Sequence, residues 1–300
     1  MNGIYSCIIA ISMYSKIPMP TVEWTEERMR HVMCFFPVVG LAQGLVLGLW
    51  FYIGLEVLQL ETWTVALAGT AVPILVTGGI HMDGFMDTMD AIHSYGDREK
   101  KLAILKDPHL GAFAVISLAV YLLIYLGATN EYVLLLASRR AGNRLFLYGL
   151  PSLIFVMERC FSGLSVVSFP PARKDGLVSG FARTARKRTD RLVLVCWLVV
   201  CIAAAMIAGE LGVGGAAGVV GVAGVSGVAG VGGVTGVGGA AGAGILAAAL
   251  AAVQLAVLWW YYRMSAKEFG GITGDLAGWF LQICELVSFI LLVILIRFGI

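Results

Sequence analysis

Seven runs of predominantly apolar residues, at about 33–55, 63–80, 110–128, 145–170, 191–212, 240–262 and 277–297, constrain this chain more than any other feature. Each is close to the roughly 20 residues that a helix needs to cross the hydrocarbon core of a bilayer. A soluble α/β protein also buries apolar segments, but as short strands separated by polar helices, and that alternation is missing here. With 59% of its 300 residues hydrophobic and 13% charged, the chain has too little polar surface to face water on all sides. The expected fold class is all-α: a polytopic membrane helical bundle of about seven transmembrane helices.

Residues 3–19 are apolar but interrupted by Lys16, Pro18 and Pro20, which predicts an N-terminal interfacial or re-entrant segment. It has no basic n-region and no A-x-A site, so it does not read as a cleavable signal. The stretch 131–170 is too long for one span, and Gly149 and Pro151 offer a break. Residues 132–144 are therefore expected to form a short surface helix carrying Arg139, Arg140 and Arg144.

The net charge of +2 gives no basis for nucleic-acid binding, and the placement of the basic residues says more. The loops 20–31, 81–109, 171–191 and 263–276 carry fifteen Lys and Arg residues. The connections near 56–62, 129–144 and 213–239 carry only the three arginines just named. The positive-inside rule puts the four basic loops in the cytoplasm, which implies a multi-pass protein of the cell membrane. The run Arg183, Arg186, Lys187, Arg188, Arg191 reads as an anchor on anionic membrane lipid. All six cysteines lie in or beside apolar stretches without metal-ligand spacing and read as small buried hydrophobes.

Residues 1–300 are expected to form a single integral membrane catalytic domain, with 213–239 a Gly/Val-rich linker on the outer side. From Gly218 that linker reads GVVGVAGVSGVAGVGGVTGVG, with glycine at every third position. Collagen shares the period but needs proline, which is missing, so an expanded repeat in a tolerant loop is the simpler reading.

The segment His81–Asp90, HMDGFMDTMD, directly follows the second apolar run. Asp83, Asp87 and Asp90 are spaced i, i+4 and i+7, which places all three on one face of a helix. Carboxylates this close repel one another unless a cation sits among them, and hard oxygen donors suit Mg²⁺ or Mn²⁺. A solvated acidic helix end is the competing reading. Against it stand the apolar residues between the acids (Met82, Phe85, Met86, Met89), the space Gly84 leaves beside Asp83, and the membrane edge. His81 and His93 flank the face, and Asp97 shares it only if the helix continues past Gly96.

A second acidic face follows "GGITGD", with Asp275, Gln282 and Glu285 at i, i+7 and i+10. Acidic groups inside a span normally face a cavity or a partner. At the start of this helix either Thr273 or Asp275 can cap the exposed amides. Glu158 and Arg159 lie mid-span and can pair with each other or with the acidic faces, while Arg173 and Lys174 sit at a helix end. Carboxylate metal ligands opposed to guanidinium groups are the usual means of phosphoryl transfer.

The motifs "TGGIHMDGFMDTMDAI", "DREKKLAILKDPHLGAFAV", "FPPARKDGL" and "GGITGDLAG", with "KIPMP" and "FFPVVGLAQG" before them, resemble those of the cobalamin synthase (adenosylcobinamide-GDP ribazoletransferase) family. The resemblance covers most of the chain in the family's order, and only the regions near 131–144 and the Gly-Val repeat look like insertions. It implies a membrane enzyme that joins α-ribazole, or its 5′-phosphate, to adenosylcobinamide-GDP and releases GMP. The implied product is adenosylcobalamin or its 5′-phosphate, and the implied cofactor is Mg²⁺. Asp83, Asp87 and Asp90 would be the catalytic and metal-holding residues, with either Asp87 or Asp90 accepting the proton. His81, Lys106, Asp107, Arg159, Arg173, Asp275 and Glu285 form the expected substrate-binding set. The resemblance leaves room for a homo-oligomer or a complex with other late cobalamin-assembly enzymes.

Two other functions compete. A lipid-making CDP-alcohol phosphatidyltransferase shares the DG-x-x-D core, but expects an Ala-Arg pair soon after it, and here no arginine follows until Arg98. A cation or metabolite transporter would carry its carboxylates deep in the spans and often shows repeated halves, which this sequence lacks.

Overall fold

The architecture is that of a computed structural model, which describes residues 2–138, 141–174, 176–220 and 239–298. Side chains are described throughout these ranges except at 2, 141–145, 177, 182 and 212–220. Twelve α-helices occur in chain order among the described residues. They are α1 (Asn2–Tyr14), α2 (Glu26–Met29), α3 (Val32–Tyr52), α4 (Thr62–Thr77), α5 (Ile80–His93) and α6 (Arg98–Ile104). After these come α7 (Ala112–Ser138), α8 (Ala141–Ser168), α9 (Leu177–Thr184), α10 (Lys187–Val220), α11 (Ala240–Met264) and α12 (Gly274–Phe298). Six helices are long and apolar enough to cross a membrane, and α4 with α5 makes a seventh if that bent pair counts as one span. The all-α membrane bundle expected from the apolar runs is therefore what forms. Their buried apolar residues make one core that reaches from Ile9 to Ile296.

The central pair is α3 and α8. Gly40, Gly44 and Gly48 recur every fourth residue along α3 and lie against the backbone of Phe155, Ser152 and Tyr148. A side chain at any of the three would collide with α8. Small residues at this spacing let two helices approach to backbone contact, which strengthens packing where no hydrophobic effect drives helices together. The short α1, too short to span, packs on α3, and the chain after it docks on the end of α4 through Lys16 N–H to the Val76 carbonyl at 2.8 Å.

The break between α4 and α5 has a local cause. Gly78 and Gly79 both adopt left-handed conformations (φ 65° and 80°), which residues with a Cβ rarely adopt, and the two helices turn through 93°. This turn aims α5 and its acidic face back across the bundle toward α12.

Two sequence expectations are corrected here. Residues 132–138 do not form a separate surface helix. They continue α7, with Tyr132, Val133 and Leu136 buried against the core. Arg139 and Arg140 lie outside the described residues, and the Arg144 side chain is not described. Nor do Gly149 and Pro151 break the chain, because α8 runs through both. Proline in a helix leaves the carbonyl four residues earlier without its usual donor. Here that carbonyl belongs to Leu147, and the buried Tyr132 hydroxyl donates to it. The Gly-Val linker is described only in part: 213–220 continue α10, and 221–238 lie outside the described residues.

Tyr132→Phe removes the hydroxyl and leaves the Leu147 carbonyl unpaired in an apolar interior. The expected loss is about 1–3 kcal/mol of stability, seen as a lower melting temperature in detergent at unchanged turnover per folded molecule. An unchanged melting temperature would show that the proline is compensated in another way.

Candidate active site

The acidic face is assembled from two crossing helices. On α5, a Cβ at Gly84 would lie 2.7 Å from the Asp275 carbonyl oxygen; on α12, a Cβ at Gly278 would lie 2.9 Å from the His81 carbonyl oxygen. The two glycines therefore let α5 and α12 touch backbone to backbone. That contact brings Asp275 up to Asp83 and Asp87, and Asp83, Asp275 and Asp90 all act electrostatically on Asp87. Asp83 is exposed, while Asp87 and Asp275 are half-buried. No ion pair reaches Asp83 or Asp87 among the described residues.

Asp90 also has backbone partners. Its two carboxylate oxygens accept from the backbone N–H groups of Gly111 (2.7 Å) and Ala114 (2.9 Å). It thereby anchors the N-terminal turn of α7, where unpaired amides and the helix dipole favour a carboxylate. Gly111 has no side chain because the Asp90 carboxylate occupies the space a Cβ would take.

Two sequence motifs meet at the start of α12. Ile272 N–H donates to the Pro170 carbonyl (3.0 Å), and Ala172 N–H donates to the Ile272 carbonyl (2.9 Å), so "FPPAR" and "GGITG" run side by side. Thr273 caps α12, its hydroxyl accepting from Leu276 N–H at 3.2 Å. Of the two caps the sequence allowed, the structure selects Thr273, and Asp275 is left for the acidic face. Arg173, carried along by this single bridge, lies close enough to act on Asp275 electrostatically, and its guanidinium donates to the Leu102 carbonyl. Arg173, Thr273, Gly274 and Asp275 line a cavity of about 190 Å³. A second cavity of about 210 Å³ shares Gly274 and Asp275 and is lined by Tyr14, Phe36, His81 and Asp83.

His81 belongs to this second cavity. It is buried, its Nε2 has no partner among the described residues, and its ring lies 6.1 Å from those of both Tyr14 and Phe36. Lys106 and Asp107 are exposed on the loop that leads into α7. The His109 backbone N–H at 3.0 Å and its ring at 2.6 Å hold the Asp107 carboxylate below the usual carboxylate range. This fixes a turn of the loop. Asp97, which the sequence placed on the acidic face only conditionally, caps α6 instead.

Arg159 and Glu285 are not on the acidic face. Both are buried in the bundle interior, and neither lines the two cavities beside it. The Arg159 guanidinium donates to Glu158, to Gln43 and to the Phe155 carbonyl, and Glu285 lies within its electrostatic reach. Polar groups inside a membrane bundle pair with one another because lipid offers no alternative. The set ties α3, α8 and α12 in one register. It also explains how a full-length Arg side chain is tolerated mid-span.

Comparison with known proteins identifies the family. The family model for cobalamin-5-phosphate synthase matches residues 6–293, nearly the whole chain. The chain belongs to the cobalamin-5-phosphate synthase family. A relative from Lachnoclostridium phytofermentans, named adenosylcobinamide-GDP ribazoletransferase, is 40% identical over 294 residues, covering 98% of this chain and 95% of its own. A protein of the same name from Clostridium botulinum is 30% identical over 285 residues, 94% of each chain. One from Brevibacillus brevis is 29% identical over 291 residues, covering 95% of this chain and 96% of its own. No solved structure matches the chain.

The different partners of Asp87 and Asp90 predict different mutant phenotypes. Asp90→Asn puts an amide NH₂ against backbone donors and is expected to cost about 0.5–2 kcal/mol of stability, as lost helix caps do. Asp87→Asn should leave the melting temperature unchanged or slightly higher, and lower turnover by at least about 100-fold. Thermal melts and turnover per folded molecule for both variants check this. Equal effects on both quantities would contradict the division.

Proposed function

We propose that this family member transfers the cobinamide phosphoryl group of adenosylcobinamide-GDP to α-ribazole or its 5′-phosphate, releasing GMP in a late step of cobalamin synthesis. The names of the relatives support the reaction, and none is a phospholipid-synthesising enzyme or a transporter. The observation that carries the assignment is the meeting of Asp83 and Asp87 on α5 with Asp275 on α12, beside Arg173. A set of unpaired carboxylates next to a guanidinium suits a metal-bridged diphosphate.

The donor set fits Mg²⁺. Asp83, Asp87 and Asp275 offer hard oxygens. Mg²⁺ suits a site in which one or two carboxylates, substrate phosphates and waters make up its shell. When bound, Mg²⁺ supplies charge neutralisation to the diphosphate oxygens and to the departing GMP. Arg173 orients the phosphate oxygens from the 190 Å³ cavity at the start of α12. The acceptor hydroxyl attacks the phosphorus that carries cobinamide, the bond from that phosphorus to the bridging oxygen breaks, and GMP leaves with the electron pair. Asp87, whose oxygens have no ion-pair partner among the described residues, takes the hydroxyl proton. Tyr14, Phe36 and His81 line the adjoining cavity and give the acceptor's aromatic base a flat-sided, largely apolar place. Asp90 positions α7 and takes no part in proton transfer.

The basic loops support an active site facing the cytoplasm, across the cell membrane from the Gly-Val linker. One experiment tests chemistry and orientation together. Inside-out vesicles given adenosylcobinamide-GDP, α-ribazole and Mg²⁺ should release GMP, and EDTA should stop it. Right-side-out vesicles should release none until detergent is added. Failure in detergent would overturn the reaction, and release from right-side-out vesicles would overturn the orientation.

A further inference from the structure

A cluster unrelated to the acidic face lies at the N-terminal ends of α3 and α10. His31, Cys34 and Asp190 present one ligand atom each, and these atoms all lie within 4.8 Å of one another. Among the described residues this is the one trio of His, Cys, Asp or Glu side chains so arranged. The Asp190 Oδ1 is 3.1 Å from His31 Nδ1 and 3.1 Å from Cys34 Sγ. Asp190 is fully buried, its Oδ2 has no partner, and no lysine or arginine pairs with it among the described residues. A buried carboxylate with no lysine or arginine beside it is costly, and the unpartnered Oδ2 leaves a place for a metal cation.

We propose that His31, Cys34 and Asp190 bind a zinc ion that fastens α3 to α10. Mixed N, S and O donors suit Zn²⁺, and bond lengths of about 2.0 Å to nitrogen or oxygen and about 2.3 Å to sulfur put tetrahedral ligands roughly 3.3–3.5 Å apart. The observed 3.1 Å separations are within a small adjustment of that. His31 and Cys34 stand three residues apart, so the first helical turn presents both to one side. The His31 side chain is 29% exposed, which leaves a route for the ion and an open fourth position for water. Cys34 is buried, as its apolar setting predicts, and its thiol also meets Asp190. The missing signal was Asp190, 156 residues away on another helix.

The site has a reason to exist. Met33 and Phe36, one residue or two from the ligands, line the 210 Å³ cavity that also holds His81 and Asp83. A metal at His31–Cys34 would fix the turn that forms this wall. The proposed zinc is distinct from the proposed Mg²⁺, so the test does not depend on activity.

Full-length protein purified without chelator should contain about one zinc per chain by plasma mass spectrometry, as expected for a single site. Exchange with Co²⁺ should give a thiolate-to-cobalt charge-transfer band in the near ultraviolet. Cys34→Ser should abolish the band, and Asp83→Asn should leave it intact. If the Cys34 variant does not fold, His31→Ala, which should weaken or shift the band, decides the matter. No zinc, together with no cobalt band after incubation with Co²⁺, would reduce the cluster to a hydrogen-bonded trio and overturn the proposal. A band that survives Cys34→Ser would place the metal elsewhere and overturn it equally.

Discussion

Backbone contact between α5 and α12 governs the rest of this structure. Helices normally stay 8–10 Å apart because their side chains keep them so. Gly84 and Gly278 remove that spacer where the helices cross, at His81 and Asp275. The crossing lets one carboxylate from the end of the chain join two from its first third. It would fail without the 93° turn at Gly78 and Gly79, which sends α5 across the bundle instead of onward. Four glycines thus decide where the charge collects, and the acids only supply it.

Around that crossing the polar residues divide into those that hold structure and those left unpaired. Asp90 anchors α7, Asp97 caps α6, Asp107 fixes a loop turn and Thr273 caps α12. Each satisfies backbone amides that would otherwise be costly at a membrane edge. Arg159 donates to Glu158 and to Gln43 deep in the bundle. Asp83 and Asp87 have no ion-pair partner among the described residues, and they lie beside Asp275, which with Asp83 lines a cavity. Charge left without a salt bridge on this face is where a divalent ion and a diphosphate can use it.

Much of this was legible in the sequence because its signals are local. Apolar runs of spanning length mark the helices, and an i, i+4, i+7 spacing marks the acidic face. The "GGITGD" motif marks the second contribution, Asp275. What was not legible depends on contacts between distant segments. Pro151 looks like a break until Tyr132, nineteen residues earlier by sequence number, is seen to serve the Leu147 carbonyl. Asp90 has the spacing of a metal ligand, and only the return of the chain at Gly111 shows that amides occupy it. Arg159 and Glu285 have the chemistry of phosphate and substrate contacts, but both are buried mid-span, where Arg159 is held by Glu158 and Gln43. Helix periodicity tells which residues share a face and says nothing of what that face meets.

The central claim is that carboxylates from α5 and α12 act as one unit. A double-mutant cycle on GMP release tests it most directly, using Asp83→Asn, Asp275→Asn and the pair, each corrected for folded protein. Groups that share one ion and one diphosphate lose most of their effect together, so the second substitution should add little to the first. The account predicts a double variant far less impaired than the product of the two single losses. Losses that multiply in full would show that Asp83 and Asp275 act independently, and would contradict a shared site.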